Sequence, residues 1–334
     1  NKGGLNMKIK VILTGGTIGS EQSGGVLSPA ASPAAKLEAA YRKSGGRADF
    51  EFSSPFTVLS ENLCAEYLNM LVENILSAYK GGFDKIIVCH GTDTLQYSAA
   101  AVMYALAGLP CTAVFVSAAK PLDDENTNGF ENFCTAAAFL ETRTVHGVFA
   151  AYANSGENAK IMPASRLALF AENSDSLRCV NDDFVAVYRG GKITDNPAWE
   201  NTVSRETGLN MSFCEYSGIE VFSAVPGRRY GRCASDTRAV ILRPYHSGTL
   251  NTESSDFADF CRDAAERDIP VFVVDIRNGA QYESSLKFKE LGITELFGTA
   301  FASAYIKAWL AQDKRGNELR KFMQTSFAGE TETE

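Results

Sequence analysis

The sequence predicts an α/β protein: a doubly wound, mostly parallel sheet followed by a second, smaller α/β domain. Three observations carry this expectation. Short Val/Ile-rich runs alternate with helix-periodic stretches through the first half of the chain. The runs are continuously apolar rather than alternating, as strands covered by helices on both faces require. At 334 residues the chain exceeds the usual size of one hydrophobic core, so two are expected.

In order, strands are predicted at Lys8–Leu13, Phe50–Phe56, Lys85–Cys89, Thr112–Val116 and Gly147–Ala151. Leu63, Tyr67, Leu68, Leu71, Val72, Ile75 and Leu76 recur at spacings of three and four, the mark of a helix with one buried face. Further helices are expected over Ala34–Lys43, Leu95–Leu106 and Thr127–Thr142. After Ile161 the pattern loosens into extended segments at Asp182–Tyr188 and Gly218–Phe222, separated by a polar, turn-rich stretch from Gly190 to Gly208. A strand at Val240–Leu242, a helix at Ser254–Arg267, a strand at Pro270–Asp275 and helices at Ser284–Leu291 and Gly298–Gln312 follow. The expected division is an N-terminal domain over 7–190, a linker over 191–212, a smaller domain over 213–325 and an acidic tail over 326–334. The end of that tail, Gly329–Glu334, is expected to be unstructured.

Composition narrows the function. A net charge of −8 argues against a nucleic-acid surface, which needs clustered Lys and Arg. No apolar run approaches the roughly 20 residues that cross a bilayer. Asn1–Asn6 are polar and lack the apolar core of a secretion signal. The eight cysteines are scattered without a C-x-x-C pair, and the three histidines are not at metal-ligand spacing. A reducing, cytoplasmic compartment and no metal site are the expectation.

Two threonine-glycine turns stand out. Thr14-Gly15-Gly16-Thr17-Ile18-Gly19 follows the run ending at Leu13, and His90-Gly91-Thr92-Asp93-Thr94 follows the run ending at Cys89. Each is expected where a strand gives way to a helix. The first can be a tight turn whose threonines satisfy the backbone, a dinucleotide turn, or the seat of a nucleophile. A dinucleotide turn wants an acid about 20 residues on. Glu61, the nearest strand-end acid, lies well beyond that spacing. Thr92 and Asp93 can cap a helix, and Ser60 can cap the helix after it or contact a ligand. Jointly, three strand ends bring hydroxyls and a carboxylate to one sheet edge, where α/β sheets bind ligands. That combination points to acyl chemistry.

These residues resemble the bacterial-type L-asparaginase/glutaminase family, through Thr14–Ile18 and His90–Thr94 above all. Weaker echoes are Ser60, Val116-Ser117-Ala118, Pro121, Asn128-Gly129 and His246-Ser247-Gly248-Thr249, and the resemblance spans about residues 8 to 315. It implies a cytoplasmic amidohydrolase that converts L-asparagine to L-aspartate and ammonia without a cofactor. Thr17 would be the nucleophile of an acyl-enzyme and Thr92 its partner threonine. Asp93 would hold the substrate α-amino group and Ser60 the α-carboxylate. Backbone N–H groups of the Gly16 and Gly91 turns would stabilise the oxyanion. Glu61, beside Ser60, is either a solvated first-turn acid or a selector for substrates lacking a free α-carboxylate. The family's lysine behind the second threonine is replaced here by Leu169, with Lys160 and Lys120 nearby in sequence. That leaves a non-catalytic amide-binding homologue as the alternative. The resemblance also implies a homodimer or homotetramer whose interface the smaller domain helps build, with a small amide as partner and neither nucleic acid nor membrane. A homologue acting on aminoacyl-tRNA fits less well, because the first motif already begins at Thr14 and the chain is acidic.

Overall fold

The computed structural model describes residues 7–23, 26–29, 33–279 and 282–332. Asn1–Asn6, Thr333 and Glu334 lie outside the described residues. The first domain runs β1 (Lys8–Leu13), a hairpin of β2 (Ser20–Ser23) and β3 (Val26–Pro29), α1 (Pro33–Lys43), β4 (Asp49–Ser53) and α2 (Ala65–Lys80). It continues with β5 (Lys85–Cys89), α3 (Leu95–Leu106), β6 (Thr112–Val116), α4 (Gly129–Thr142), β7 (Gly147–Tyr152), β8 (Lys160–Pro163), β9 (Ala186–Arg189) and β10 (Lys192–Asp195). Apart from the β2–β3 hairpin, these strands form one eight-stranded sheet in the order β10-β9-β8-β7-β6-β5-β1-β4. The five strands from β4 to β7 in that order are parallel, and β8, β9 and β10 extend the sheet antiparallel.

The continuous apolar runs are explained by two-sided burial. Ile86 and Val88 of β5 face Leu68, Leu71 and Ile75 of α2 in one core. Ile87 and Cys89 turn to the other face, where Leu37 and Tyr41 of α1 and Phe133 and Phe139 of α4 pack. A strand pleat sends successive side chains to opposite faces. Each buried aliphatic side chain is worth about 1.5–3 kcal/mol, so no polar position is tolerated between them.

The second domain is a four-stranded parallel sheet of β11 (Ile219–Ser223), β12 (Ala239–Arg243), β13 (Val271–Ile276) and β14 (Ile293–Phe297). Its helices are α5 (Ser255–Glu266), α6 (Glu283–Leu286), α7 (Phe301–Leu310) and α8 (Gly316–Gln324). The two domains meet where α3 packs along α7. The Tyr104 hydroxyl bonds Ser303, and the Tyr97 ring lies edge-on to Phe301 and Tyr305.

Several expectations change. The first turn leads into a single 3₁₀ turn at Thr17–Gly19 and then the hairpin, not into an α-helix. The residues after Gly19 carry no helical apolar period to bury. Lys192–Asp195, read as the start of the linker, pairs antiparallel with β9, so the irregular stretch begins at Asn196. β14 and α8 were not anticipated. The edge strand carries Thr294 and Glu295 in its centre, and α8 buries only Leu319 and Met323 besides its first residue.

The acidic tail is packed rather than free as far as it is described, to Glu332. Glu330 and Thr331 are buried, and the Glu330 carboxylate meets the fully buried Lys307 ammonium of α7 at 2.8 Å. Lys307 also donates to the carbonyls of Met323 and Thr325. Backbone N–H groups of Phe327 and Ala328 donate to Glu330. Arg205 of the irregular stretch donates to the Ser326 carbonyl, and Arg166 of the first domain pairs with Glu332. A charge pattern alone cannot distinguish a solvated tail from one whose acid has a buried lysine waiting.

Candidate active site

Strand order places the three chemistry-bearing turns side by side, because β1 lies between β4 and β5. The Thr17 turn leaves β1, the Ser60 turn follows β4 and the Thr92 turn leaves β5. They are in direct contact. A Cβ on Gly16 would sit 2.3 Å from both Cα and N of Gly91, and one on Gly91 would sit 2.6 Å from the Ser60 hydroxyl oxygen. Gly16 also has φ +75°, a conformation that costs little only without a Cβ. These glycines are therefore what lets the turns touch.

Hydrogen bonds lock the turns to one another. Thr14 donates its hydroxyl to Cys89 O at 2.9 Å, tying the end of β1 to the end of β5. Val58 N–H donates to Thr14 O at 3.0 Å, tying in the segment after β4. Thr94 donates its hydroxyl to Ser60 O at 2.9 Å, and Ser60 donates its own to Asp93 Oδ2 at 3.2 Å.

This network resolves the capping alternatives. Ser60 opens a 3₁₀ turn, Ser60–Asn62, and α2 starts later with Cys64 at its N-cap, so Ser60 does not cap that helix. The N-cap of α3 is Thr94, without a side-chain cap bond, so Thr92 and Asp93 are free of that task. Glu61 is exposed on the Ser60 turn. Asp93 is exposed, and Thr17 and Thr92 are half-buried.

Beneath the second turn lies His90, fully buried. Its Nδ1 is 2.9 Å from Gly91 O and its Nε2 is 2.9 Å from the Ser98 hydroxyl. A carbonyl only accepts, so Nδ1 carries the proton and Nε2 accepts from Ser98. Burial pushes His90 down to about 4, so the ring is neutral at pH 7. A histidine next to a glycine turn reads from sequence as a motif letter; its support of the Gly91 peptide shows only in the structure.

A cavity of about 500 Å³ opens beside the second turn, lined by Thr92, Asp93, Gln96, Tyr97, Leu169 and Phe170 among others. Thr17, Ser60 and Glu61 are not on its walls. Leu169 thus shares a cavity lining with Thr92. Lys160 and Lys120 are engaged elsewhere, with Glu157 at 2.7 Å and Asp124 at 3.7 Å. Gln96, not singled out from the sequence, is 2% exposed in this wall; its one signal was an amide in an otherwise apolar helix. His246, Ser247 and Gly248 line an adjoining, larger cavity of about 880 Å³ that shares Leu169, Phe170, Ala171 and Glu172 with the first and also touches Arg243 and Asp275.

Residues 8–196, over half of the chain, match the family described as "Asparaginase, N-terminal". The chain belongs to the asparaginase family. Relatives named as one of the subunits of glutamyl-tRNA(Gln) amidotransferase are similar to it. The one from Methanobrevibacter smithii is 27% identical, over 66% of this chain and 51% of that protein. The one from Metallosphaera sedula is 26% identical, over 97% of this chain and 76% of that protein. The chain thus spans about half the length of the first relative. Among solved structures, the thermostable L-asparaginase of Thermococcus kodakarensis superposes with a TM-score of 0.79 at 20% identity, covering 98% of this chain and 100% of that one. The two-domain asparaginase fold is therefore shared over the whole described chain. Among the described residues no helix is long and apolar enough to cross a membrane, and no group of His, Cys, Asp and Glu could hold a metal ion.

Proposed function

We propose that this asparaginase-family chain is an amidohydrolase that hydrolyses L-asparagine to L-aspartate and ammonia, with Thr17 as the nucleophile. The observation that carries the reading is the contact of the three turns: Gly16 against Gly91, Gly91 against Ser60, and Ser60 bonded to Asp93. The contact joins the turns that carry Thr17 and Thr92 and includes a hydroxyl–carboxylate pair, Ser60 and Asp93, which supports a pocket for an amino acid's charged end. In this scheme Asp93 takes the substrate α-ammonium and Ser60 its α-carboxylate. The Thr17 oxygen attacks the side-chain amide carbon while the Thr92 oxygen accepts a hydrogen bond from the Thr17 hydroxyl. The Thr17 proton ends on the departing nitrogen, which leaves as ammonia. Water then attacks the ester carbon, and its proton returns to the Thr17 oxygen as aspartate is released. Backbone N–H groups of the two glycine turns hold the oxyanion in both steps.

The test is ammonia release over asparagine, glutamine and simple amides by wild type and Thr17→Ala. Loss of activity in a variant that keeps its far-UV circular dichroism supports the reading, and equal activity overturns it. One observation favours a second reading. The cavity that Thr92 lines has the apolar Leu169 where the family's lysine is expected, and Lys160 and Lys120 are paired elsewhere. A binding protein that retains the pocket without turnover would show calorimetric aspartate binding and no ammonia. The same substrate screen addresses the amidotransferase relatives, because an amide donor other than asparagine would declare itself there.

A further inference from the structure

Gln96 is the second residue of α3 and is 2% exposed. Its Nε2 donates to Asp93 O at 2.9 Å. That bond fixes the amide plane and leaves Oε1 as the free end. Oε1 is buried and has no hydrogen-bond partner. A buried carbonyl oxygen left unpaired costs folding free energy, and such atoms in native proteins are rare. It therefore calls for a donor in the working state.

The cavity wall that holds Gln96 narrows the choice of donor. Leu169 and Phe170 have no polar side-chain atom and Asp93 as a carboxylate only accepts, which leaves Thr92, Tyr97, Asn173 and Ser174 as the side chains on this wall with a hydrogen to give. Thr92 shares the wall and lies four residues before Gln96, on the turn whose Asp93 carbonyl the same amide already grips. A threonine hydroxyl can give its one hydrogen to Gln96 and keep two lone pairs for other partners.

We propose that Gln96 Oε1 accepts the Thr92 O–H during turnover and so aims the Thr92 lone pairs at the Thr17 hydroxyl and at the attacking water. Gln96 is a positioning residue here. An amide oxygen holds no proton at these pH values, and none is moved to it. The inference rests on the amidohydrolase reading and adds the group that orients its second threonine, a task the apolar Leu169 cannot perform.

The test compares Gln96→Leu and Gln96→Glu with wild type by steady-state ammonia release across pH. Gln96→Leu, which suits the apolar helix, lowers kcat about tenfold or more and leaves KM within about twofold. Gln96→Glu keeps an acceptor oxygen, regains most of that loss, and adds an ionisation to the kcat profile that Gln96→Leu lacks. A folded Gln96→Leu with kcat within twofold of an active, Thr17-dependent wild type overturns this inference alone. So do equal losses in both variants with no new ionisation. A wild type that releases no ammonia from any amide overturns the underlying reading and this inference with it.

Discussion

The buried pair between α7 and the tail offers a quantitative test of how the C-terminal segment is held. Lys307 and Glu330 are 2.8 Å apart with both side chains fully inaccessible. At an effective dielectric of about 20, charges at that separation attract by about 6 kcal/mol, most of which offsets their loss of hydration. Glu330→Gln keeps the shape and removes one charge, which leaves the Lys307 ammonium buried against carbonyls. The cheapest escape is for Lys307 to lose its proton, and doing so at pH 7 from an ordinary value near 10.4 costs about 4.6 kcal/mol. Breaking a buried pair from one side typically costs about 3–5 kcal/mol, so the variant should lose that much stability. Equilibrium urea unfolding at pH 7, followed by tryptophan fluorescence and near-UV circular dichroism, measures it. The double variant Lys307→Met/Glu330→Leu leaves neither charge stranded and should recover most of the loss. A single variant costing under about 1 kcal/mol, or a double variant worse than the single, would refute the pair as the lock of this segment. The pH sign follows from the same contacts. Burial alone would raise the Glu330 carboxyl, but Lys307 and the backbone N–H donors hold it below its usual range. Its contribution is therefore present above the ordinary carboxyl range and is lost as pH falls below that range.

Two further predictions concern the turns. Gly16→Ala must place a Cβ 2.3 Å from the Gly91 backbone at φ +75°, so it should cost about 2–5 kcal/mol and abolish ammonia release; a thermally unchanged, active variant would show that the turns do not touch. His90 is neutral in the folded chain down to about pH 4, whereas an unfolded imidazole protonates near 6.5. Its contribution is thus full above the unfolded value and is lost as pH falls from about 6.5 toward 4, by about 3 kcal/mol in all. Urea titrations of wild type and His90→Gln between those pH values check this, and parallel slopes for the two proteins would contradict it.

What the sequence disclosed followed from how many residues each signal engages. β5, β6 and α3 were legible to the residue, because every position of those strands faces a covering helix or neighbouring strand. β14 was not, since an edge strand with Thr294 and Glu295 in its middle satisfies its hydrogen bonds without an apolar run. At the proposed site, Thr17, Thr92, Ser60 and Asp93 could be singled out because three strand ends jointly carry hydroxyls and a carboxylate to one sheet edge. The partners beneath them could not. Gln96 and His90 matter through the direction of a single polar atom, and direction is set by tertiary packing rather than by local spacing. The tail fails for the same reason: Glu330 looks like any acid until Lys307, 23 positions away, is placed under it.

The helix that begins at the second turn has a mechanical meaning. With ten of its twelve residues buried, α3 is a stiff rod about 18 Å long. The proposed site sits at one end, and the smaller domain is bolted to its flank through Tyr97 and Tyr104. Any tilt of that domain is delivered along the rod to Thr92. Grafting the smaller domain from a relative is therefore an alteration of the proposed active site, even where no grafted side chain comes near it.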